Sequence, residues 1–198
     1  MKNVIKNSKK GILTVSLLTS MLSFANEAPS LFIKNTIEKT IITLNNLKEG
    51  NQISIKDANG IIMFKESIQE TGTYTKGFDL TSLPNGMYFF EVEKGFEIKI
   101  IPFVVESNNV TFEKENSTTI FKPIVRKKNN RLYISKLAPN FEPLHISIYS
   151  NSGTADHLIH SETIKNTQII EKIFDLKEGD YKIVFNSNKR VYTKYINN

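Results

Sequence analysis

Apolar and polar residues alternate in several short runs along the chain. In Ile53–Ile55 and in Ile98–Ile100, isoleucines flank a single polar residue. A period of two directs successive side chains to opposite faces, which is typical of half-buried β-strands. The run Tyr88–Phe90 is apolar throughout and rich in residues that favour strands, so it predicts a central strand covered on both faces.

Turn-forming residues separate these runs. Asn-Gly pairs provide the positive φ angles that tight hairpins need. Many short strands with turns at this spacing, and no sustained helical period, predict an all-β sandwich architecture. The predicted turns are Ala58–Gly60, Pro84–Gly86, Glu93–Gly95, Asn129–Asn130, Asn151–Gly153 and Lys177–Gly179.

Three short motifs occur twice in the same order, which indicates an internal duplication. They are Ile53–Ile55 with Ile146–Ile148, Phe78–Leu80 with Phe174–Leu176, and Gly86–Tyr88 with Gly179–Tyr181. The sequence therefore predicts two tandem immunoglobulin- or fibronectin-like β-sandwich domains, at residues 26–107 and 108–198.

The repeated Gly-x-Tyr motif has a structural explanation. In immunoglobulin-like sandwiches, a tyrosine near the start of a late strand donates its hydroxyl to upstream backbone and fixes the corner between the sheets. We expect Tyr88 and Tyr181 to be such corner tyrosines, with Gly86 and Gly179 allowing the turn into the strand. The alternative is that these tyrosines form an aromatic platform for a ligand.

The N-terminal segment has the layout of a secretory signal peptide. A lysine-bearing start is followed by an apolar stretch from Gly11 to Leu22, and small residues Ser23 and Ala25 precede the expected cleavage site. The uncharged run is shorter than the roughly 20 residues that span a bilayer. We therefore predict a signal peptide at residues 1–25, no membrane span after its removal, and a periplasmic, cell-surface or secreted protein.

Charge and cysteine content restrict the possible functions. The chain has 26 basic and 20 acidic residues, but four lysines precede residue 26, so the remainder carries 22 basic residues against 20 acidic ones. Because this remainder is nearly neutral with mixed signs, nucleic acid is not an expected partner. Cysteine is absent. Its absence excludes disulfides, thiolate metal sites and a cysteine nucleophile.

The histidines of the second copy are the one cluster that could bind a metal. His157 and His160 lie near Asp156 and Glu162 in the sequence, with His145 further upstream. Residues three apart on a regular strand point to opposite faces, so we expect these side chains to be separate, solvated edge residues. No catalytic, cofactor-binding or metal-ligating residue is therefore predicted, and no cofactor is expected.

Two segments of the first copy carry a family resemblance. The run Ile53–Gly60, followed by Phe78–Tyr88 with its Leu83-Pro-Asn-Gly86 turn, resembles the β-sandwich domains found at the C-terminus of type IX secretion cargo. It is also similar to small exported immunoglobulin-like domains from the Gram-negative bacteria that have this secretion system. The second copy has Leu176-Lys-Glu-Gly179 in place of that turn. The resemblance implies a sandwich fold and passage across the outer membrane.

Three functions remain open from the sequence. The first is a non-catalytic module that binds or spaces an envelope or surface protein or a glycan. The second is a cargo-like protein whose C-terminal repeat, with its basic segment Arg190–Lys194, is a sorting signal for the type IX export machinery. The third is a hydrolytic or metal-dependent enzyme using His157 and His160. We expect the first, because a duplicated sandwich without a recognisable site suits binding better than catalysis.

Overall fold

The computed structural model describes residues 31–35, 39–151 and 155–197. The predicted signal peptide and the Ser152–Gly153 turn lie outside the described residues. Strands dominate the described part of the chain, which contains no α-helix and only two short 3₁₀ turns, Leu80–Ser82 and Lys114–Asn116.

The strands form two consecutive groups. The first unit contains β1 (Leu31–Asn35), β2 (Thr40–Leu47), β3 (Gln52–Asp57), β4 (Ile62–Ser67), β5 (Gly72–Phe78), β6 (Gly86–Glu93), β7 (Glu97–Glu106), β8 (Asn109–Phe112) and β9 (Thr118–Phe121). The second unit contains β10 (Ile124–Lys128), β11 (Arg131–Leu137), β12 (Leu144–Asn151), β13 (Asp156–Ile164), β14 (Ile169–Asp175), β15 (Asp180–Ser187) and β16 (Arg190–Asn197).

The two units share one strand order. In the first unit, sheet A has the order β1-β2-β5 and sheet B the order β4-β3-β6-β7-β8, with β9 also pairing β7. In the second unit, sheet C has the order β10-β11-β14 and sheet D the order β13-β12-β15-β16. Apart from β8 and β9, each strand of the first unit has a counterpart in the second. The all-β fold and the duplication predicted from the sequence are thus confirmed.

Each unit encloses its own core between its two sheets. In the first unit, Ile42 of sheet A packs in one cluster with Phe90 and Phe103 of sheet B, and all three are fully buried. In the second unit, Leu132 of sheet C and Phe185 of sheet D belong to a separate cluster. Burying one such side chain contributes about 1.5–3 kcal/mol. The alternation seen in the sequence therefore produces two sandwiches.

Strand pairing extends sheet B of the first unit past the domain boundary expected at residue 107. The β7–β8 hairpin turns at Ser107 and Asn108, both with positive φ, and β8 then pairs with β7. Strand β9 pairs with the other half of β7, joining Ile98 to Ile120. Sheet B thus extends to Phe121. That residues 26–107 and 108–198 fold as separate domains stays a prediction.

The Ala58–Gly60 turn has a different geometry from the one its Asn-Gly pair suggests. Gly60 has a φ of 84°, whereas Asn59 has no positive φ. The carboxylate of Asp57 accepts hydrogen bonds from the backbone N–H groups of Asn59 and Ile61, at 2.9 and 2.8 Å. An aspartate at the first turn position thus holds the loop, and glycine is required at one position only.

Candidate functional site

Both repeated tyrosines are corner tyrosines, as predicted. The hydroxyl of Tyr88 donates to the carbonyl oxygen of Pro84 at 2.8 Å, and that of Tyr181 donates to the carbonyl oxygen of Lys177 at 2.9 Å. Each tyrosine lies in the sixth strand of its unit and is almost fully buried. Their rings are therefore part of the scaffold and unavailable to a ligand.

The edge strands of the first sandwich are joined by an ion pair. Glu66 of β4 accepts hydrogen bonds from Lys76 and Tyr74 of β5, each at 2.7 Å. The hydrogen bond from Lys76, followed by that from Tyr74, lowers the pKa of Glu66. Burial, followed by the bond to Glu66, raises the pKa of Tyr74 far above its usual value. Because β4 belongs to sheet B and β5 to sheet A, this contact closes one side of the sandwich.

The second sandwich repeats this contact with one change. Lys172 of β14 donates to Glu162 of β13 at 2.8 Å. The ring of His160 packs edge-on against Phe174 with centroids 4.9 Å apart, as Phe64 packs against Phe78 at 5.1 Å in the first unit. Burial raises the pKa of Glu162, but Lys172 and His160 outweigh it and the net pKa is lowered. His160 thus occupies the position of a packing residue.

The histidines lie in different surroundings from those expected. One extra residue in β13, Ile159, forms a bulge: His160 is opposite Ile148 and Leu158 is opposite Tyr149. The bulge brings His157 and His160 to the same face, so the expectation of opposite faces was wrong for a physical reason that the sequence does not display. Across the described residues, no three His, Asp or Glu side chains are grouped closely enough to hold a metal.

The third histidine belongs to a polar group on the outer face of sheet D. Nδ1 of His145 lies 2.8 Å from the hydroxyl of Thr163, while Nε2 lies 3.2 Å from that of Ser147 and 3.4 Å from that of Ser161. His145 is therefore separated from His160, whose ring lies on the core side of the same sheet.

A buried carboxylate joins the two units. Glu91 of β6 accepts hydrogen bonds from Arg190 of β16 at 2.5 Å and from Lys56 of β3 at 2.7 Å, and only 7% of its side chain is exposed. Burial raises the pKa of nearby Tyr192, whose hydroxyl has no hydrogen-bond partner in the described structure. The outer face of sheet B is thus partly covered by the end of the second unit.

The equivalent outer face of sheet D is open. One row of directly opposed residues crosses all four strands, in the order Leu158, Tyr149, Lys182, Tyr195. Leu158 is 56% exposed and Tyr195 is 68% exposed. Lys182 lies 5.7 Å from the ring centroid of Tyr149 and donates to Asp156 at 2.7 Å. The hydrogen bond to Asp156 is the largest of several contacts that raise the pKa of Lys182.

This row was not recognised from the sequence. Tyr149 and Tyr195 lie in strands that are not adjacent, and their approach to Lys182 depends on the register of two strand pairings, β12 with β15 and β15 with β16. The available signal was the period of two in β16, which places Val191, Thr193 and Tyr195 on one face. No helix in the described part of the chain has the length and hydropathy that a membrane span requires.

Solved structures that resemble this chain have low overall similarity to it. A two-domain fibronectin type-III segment of chicken tenascin has 11% identity and a TM-score of 0.29, with 87% of this chain and 100% of that chain covered. Chicken CNTN1 FN1-FN3 domains have 14% identity and a TM-score of 0.27, with 87% and 65% covered. Red sea bream transglutaminase has 10% identity and a TM-score of 0.27, with 96% and 34% covered. Comparison with curated protein sequences found no match.

A family model matches the first unit. Residues 34–106 match the model described as "Secretion system C-terminal sorting domain". The match begins within β1 and ends at the last residue of β7, so it leaves out β8 and β9 and the whole second unit. The first seven strands of this protein therefore form a β-sandwich that is similar to secretion system C-terminal sorting domains.

Proposed function

We propose that this protein is an exported, non-catalytic pair of β-sandwiches that binds or spaces other molecules in the cell envelope or outside the cell. The observation that carries the proposal is the sorting-domain match over β1–β7. A domain of that family is expected on proteins that leave the cell through the type IX system. The predicted signal peptide supports the first step of that route, across the inner membrane.

The contact between the units supports a spacing or presenting role. Glu91 is buried between Lys56 and Arg190, and an ion that loses its partner in such a place is costly. This arrangement favours a fixed relation between the two sandwiches over free movement on a linker. A fixed pair would hold the outer face of sheet D at a constant distance from the first unit.

A second candidate function is that the C-terminal repeat is itself a sorting signal. It is favoured by the strand order that the second unit shares with the matched first unit. The basic segment from Arg190 to Lys194 would be the part recognised. Arg190 is engaged with Glu91. The residues that an export machine could contact are therefore Lys194, which is exposed, and Lys189, which precedes Arg190 in the turn before β16.

Cell fractionation of the full chain tests the export route that both candidate functions assume. The protein would be expressed in a bacterium with an active type IX system and in the same strain lacking its outer-membrane translocon. We expect protein on the surface or in the medium of the first strain and in the periplasm of the second. The same distribution in both strains would reject a type IX route.

Matched charge variants separate the second candidate from the first. Lys189→Gln with Lys194→Gln removes two charges from the second unit, and Lys48→Gln with Lys65→Gln removes two exposed charges from the first. If only the Lys189→Gln, Lys194→Gln variant is retained in the periplasm, a signal in the C-terminal repeat is supported. If both double variants are released normally, that role is eliminated. Deletion of β16 is less informative because Tyr192 and Ile196 pack against the core.

A further inference from the structure

The two units use the outer faces of their four equivalent strands differently. In sheet B, Glu91 and Ile98 point away from the sandwich core, opposite Ile100 and Glu93, yet they are only 6% and 1% exposed. The outer face of sheet D is more open, because its Val191 is 66% exposed and its Tyr195, at 68%, is the most exposed large hydrophobic side chain of the described residues. The second unit therefore exposes an outer face whose equivalent in the first unit is covered.

We propose that the outer face of sheet D binds an uncharged polysaccharide, with Tyr149 and Tyr195 as the contact residues for sugar rings. This inference rests on the proposed function as a binding module and names its ligand class. Tyrosine combines a flat apolar ring with a polar hydroxyl, which suits the alternating C–H faces and hydroxyl edges of a sugar. Leu158 extends the apolar contact at one end of the row.

The charges on this face favour an uncharged ligand. Lys182 of the tyrosine row is paired with Asp156 on the same face, to which it donates at 2.7 Å. The exposed carboxylate of Asp180 also lies on this face, in the row of Asp156 and Asn151. Lys182 also lies 5.7 Å from the ring centroid of Tyr149, within cation–π distance, so its ammonium group is next to the aromatic contact residues. An anionic polymer would have to displace Asp156 from Lys182 and would be repelled by Asp180. A neutral sugar can instead accept from the ammonium group and donate to the carboxylate while leaving the pair intact.

The dimensions of the row suit an extended chain of sugars. Tyr149 and Tyr195 are separated by one intervening strand, which places their backbones about 10 Å apart. That separation is comparable to the length of a disaccharide unit. The neighbouring row of this face includes the hydroxyl-bearing residues Ser161 and Thr193, which add hydrogen-bonding groups beside the aromatic row.

The corresponding row of the first unit provides an internal comparison. The same strands there place Ile62, Lys56, Phe89 and Pro102 opposite one another. Lys56 is engaged with buried Glu91, and the row contains no tyrosine. A duplicated scaffold has thus kept its core and corner residues while the two outer faces have diverged, which is the pattern expected when one copy holds the pair together and the other binds a ligand.

Affinity electrophoresis of the full chain tests the proposal. Native gels would contain hydroxyethylcellulose, laminarin or dextran as neutral probes, with alginate as the anionic probe. We expect at least one neutral polysaccharide to retard the protein. Tyr195→Ala should weaken that binding about tenfold, as expected for loss of one aromatic contact worth about 1.4 kcal/mol. Tyr195→Phe, which keeps the ring, should retain most of the binding.

Tyr133→Ala is the matched control, because Tyr133 lies on the outer face of sheet C in the same unit. Unchanged binding in this variant, with loss in Tyr195→Ala and Tyr149→Ala, supports the proposed face. Equal binding by wild type and Tyr195→Ala would overturn it, as would retardation by alginate alone or by none of the neutral probes. These outcomes do not depend on cellular location, so fractionation can fail or succeed independently.

Discussion

Replacement of a corner tyrosine by phenylalanine tests how the two units are stabilised. Tyr88→Phe and Tyr181→Phe each remove one hydroxyl and leave a buried ring in place. The acceptors are the carbonyl oxygens of Pro84 and Lys177, which belong to exposed residues and can bind water instead. We therefore expect each substitution to cost about 1 kcal/mol, near the net value of one hydrogen bond.

Calorimetry of the full chain measures that cost and shows whether the units unfold together. A loss of 1 kcal/mol lowers the Tm of a 60–100-residue domain by roughly 4–8 °C and that of a 150–250-residue domain by roughly 2–4 °C. If the units unfold independently, two transitions are expected, and each variant should lower the Tm of one of them by the larger amount. If the units unfold together through the Glu91 contact, one transition is expected, and both variants should lower its Tm by the smaller amount.

Tyr195→Phe is the control for these measurements, because Tyr195 is 68% exposed and its hydroxyl has no corner to fix. Its thermal transition should match that of wild type. The double variant should lose the sum of the two single losses, since the corners lie in separate cores. Unaltered transitions in both Tyr88→Phe and Tyr181→Phe would refute the corner role and imply that neither hydroxyl bond contributes to stability.

Two other substitutions test the ion pairs. Glu91→Gln should cost about 1.5–3 kcal/mol, the range for hydrogen bonds to a charged group, whereas exposed Asp175→Asn should not change urea unfolding measurably; equal effects would contradict a buried link between the units. Folding lowers the pKa of Glu66 below its usual 4.5. Its contribution is therefore complete above that pH and is lost as the pH falls through the folded value. Urea unfolding from neutral pH to about pH 3 should show wild type losing more stability than Glu66→Gln, and parallel profiles would exclude this contribution.

The sequence could predict the features that depend on local pattern. Alternation around Ile53–Ile55 indicated a strand, and β3 is the inner strand that pairs β4 and β6. The repeated Gly-x-Tyr predicted both corner hydrogen bonds, because corner geometry involves residues only four apart. The glycines differ, however: Gly179 has a positive φ of 139°, whereas Gly86 does not. A shared motif thus fixed the hydrogen bond more strictly than the backbone angle.

Features that depend on register could not be predicted in this way. The bulge at Ile159 reverses the faces expected for His157 and His160, and no residue type in β13 marks it. The contact between Glu91 and Arg190 joins residues 99 positions apart. A period of two indicates that a side chain lies on the outer face of a sheet, but it cannot show what covers that face. Strand β9 was not predicted, because a strand of four residues is too short to show a clear alternation of apolar and polar positions.

The edge contacts show how a duplicated sandwich can keep its fold while its surfaces change. The pairs Glu66–Lys76 and Glu162–Lys172 occupy equivalent positions in the two units, and both close the side of a sandwich. They are constrained because each joins two sheets of one core. No such constraint acts on the outer face of sheet D. The Lys182–Asp156 pair of sheet D has no counterpart in sheet B, where the carboxylate of Glu91 binds Arg190 from the other unit. The functional difference between the copies is therefore expected on these outer faces, and the exposed tyrosine row is where a ligand can reach it.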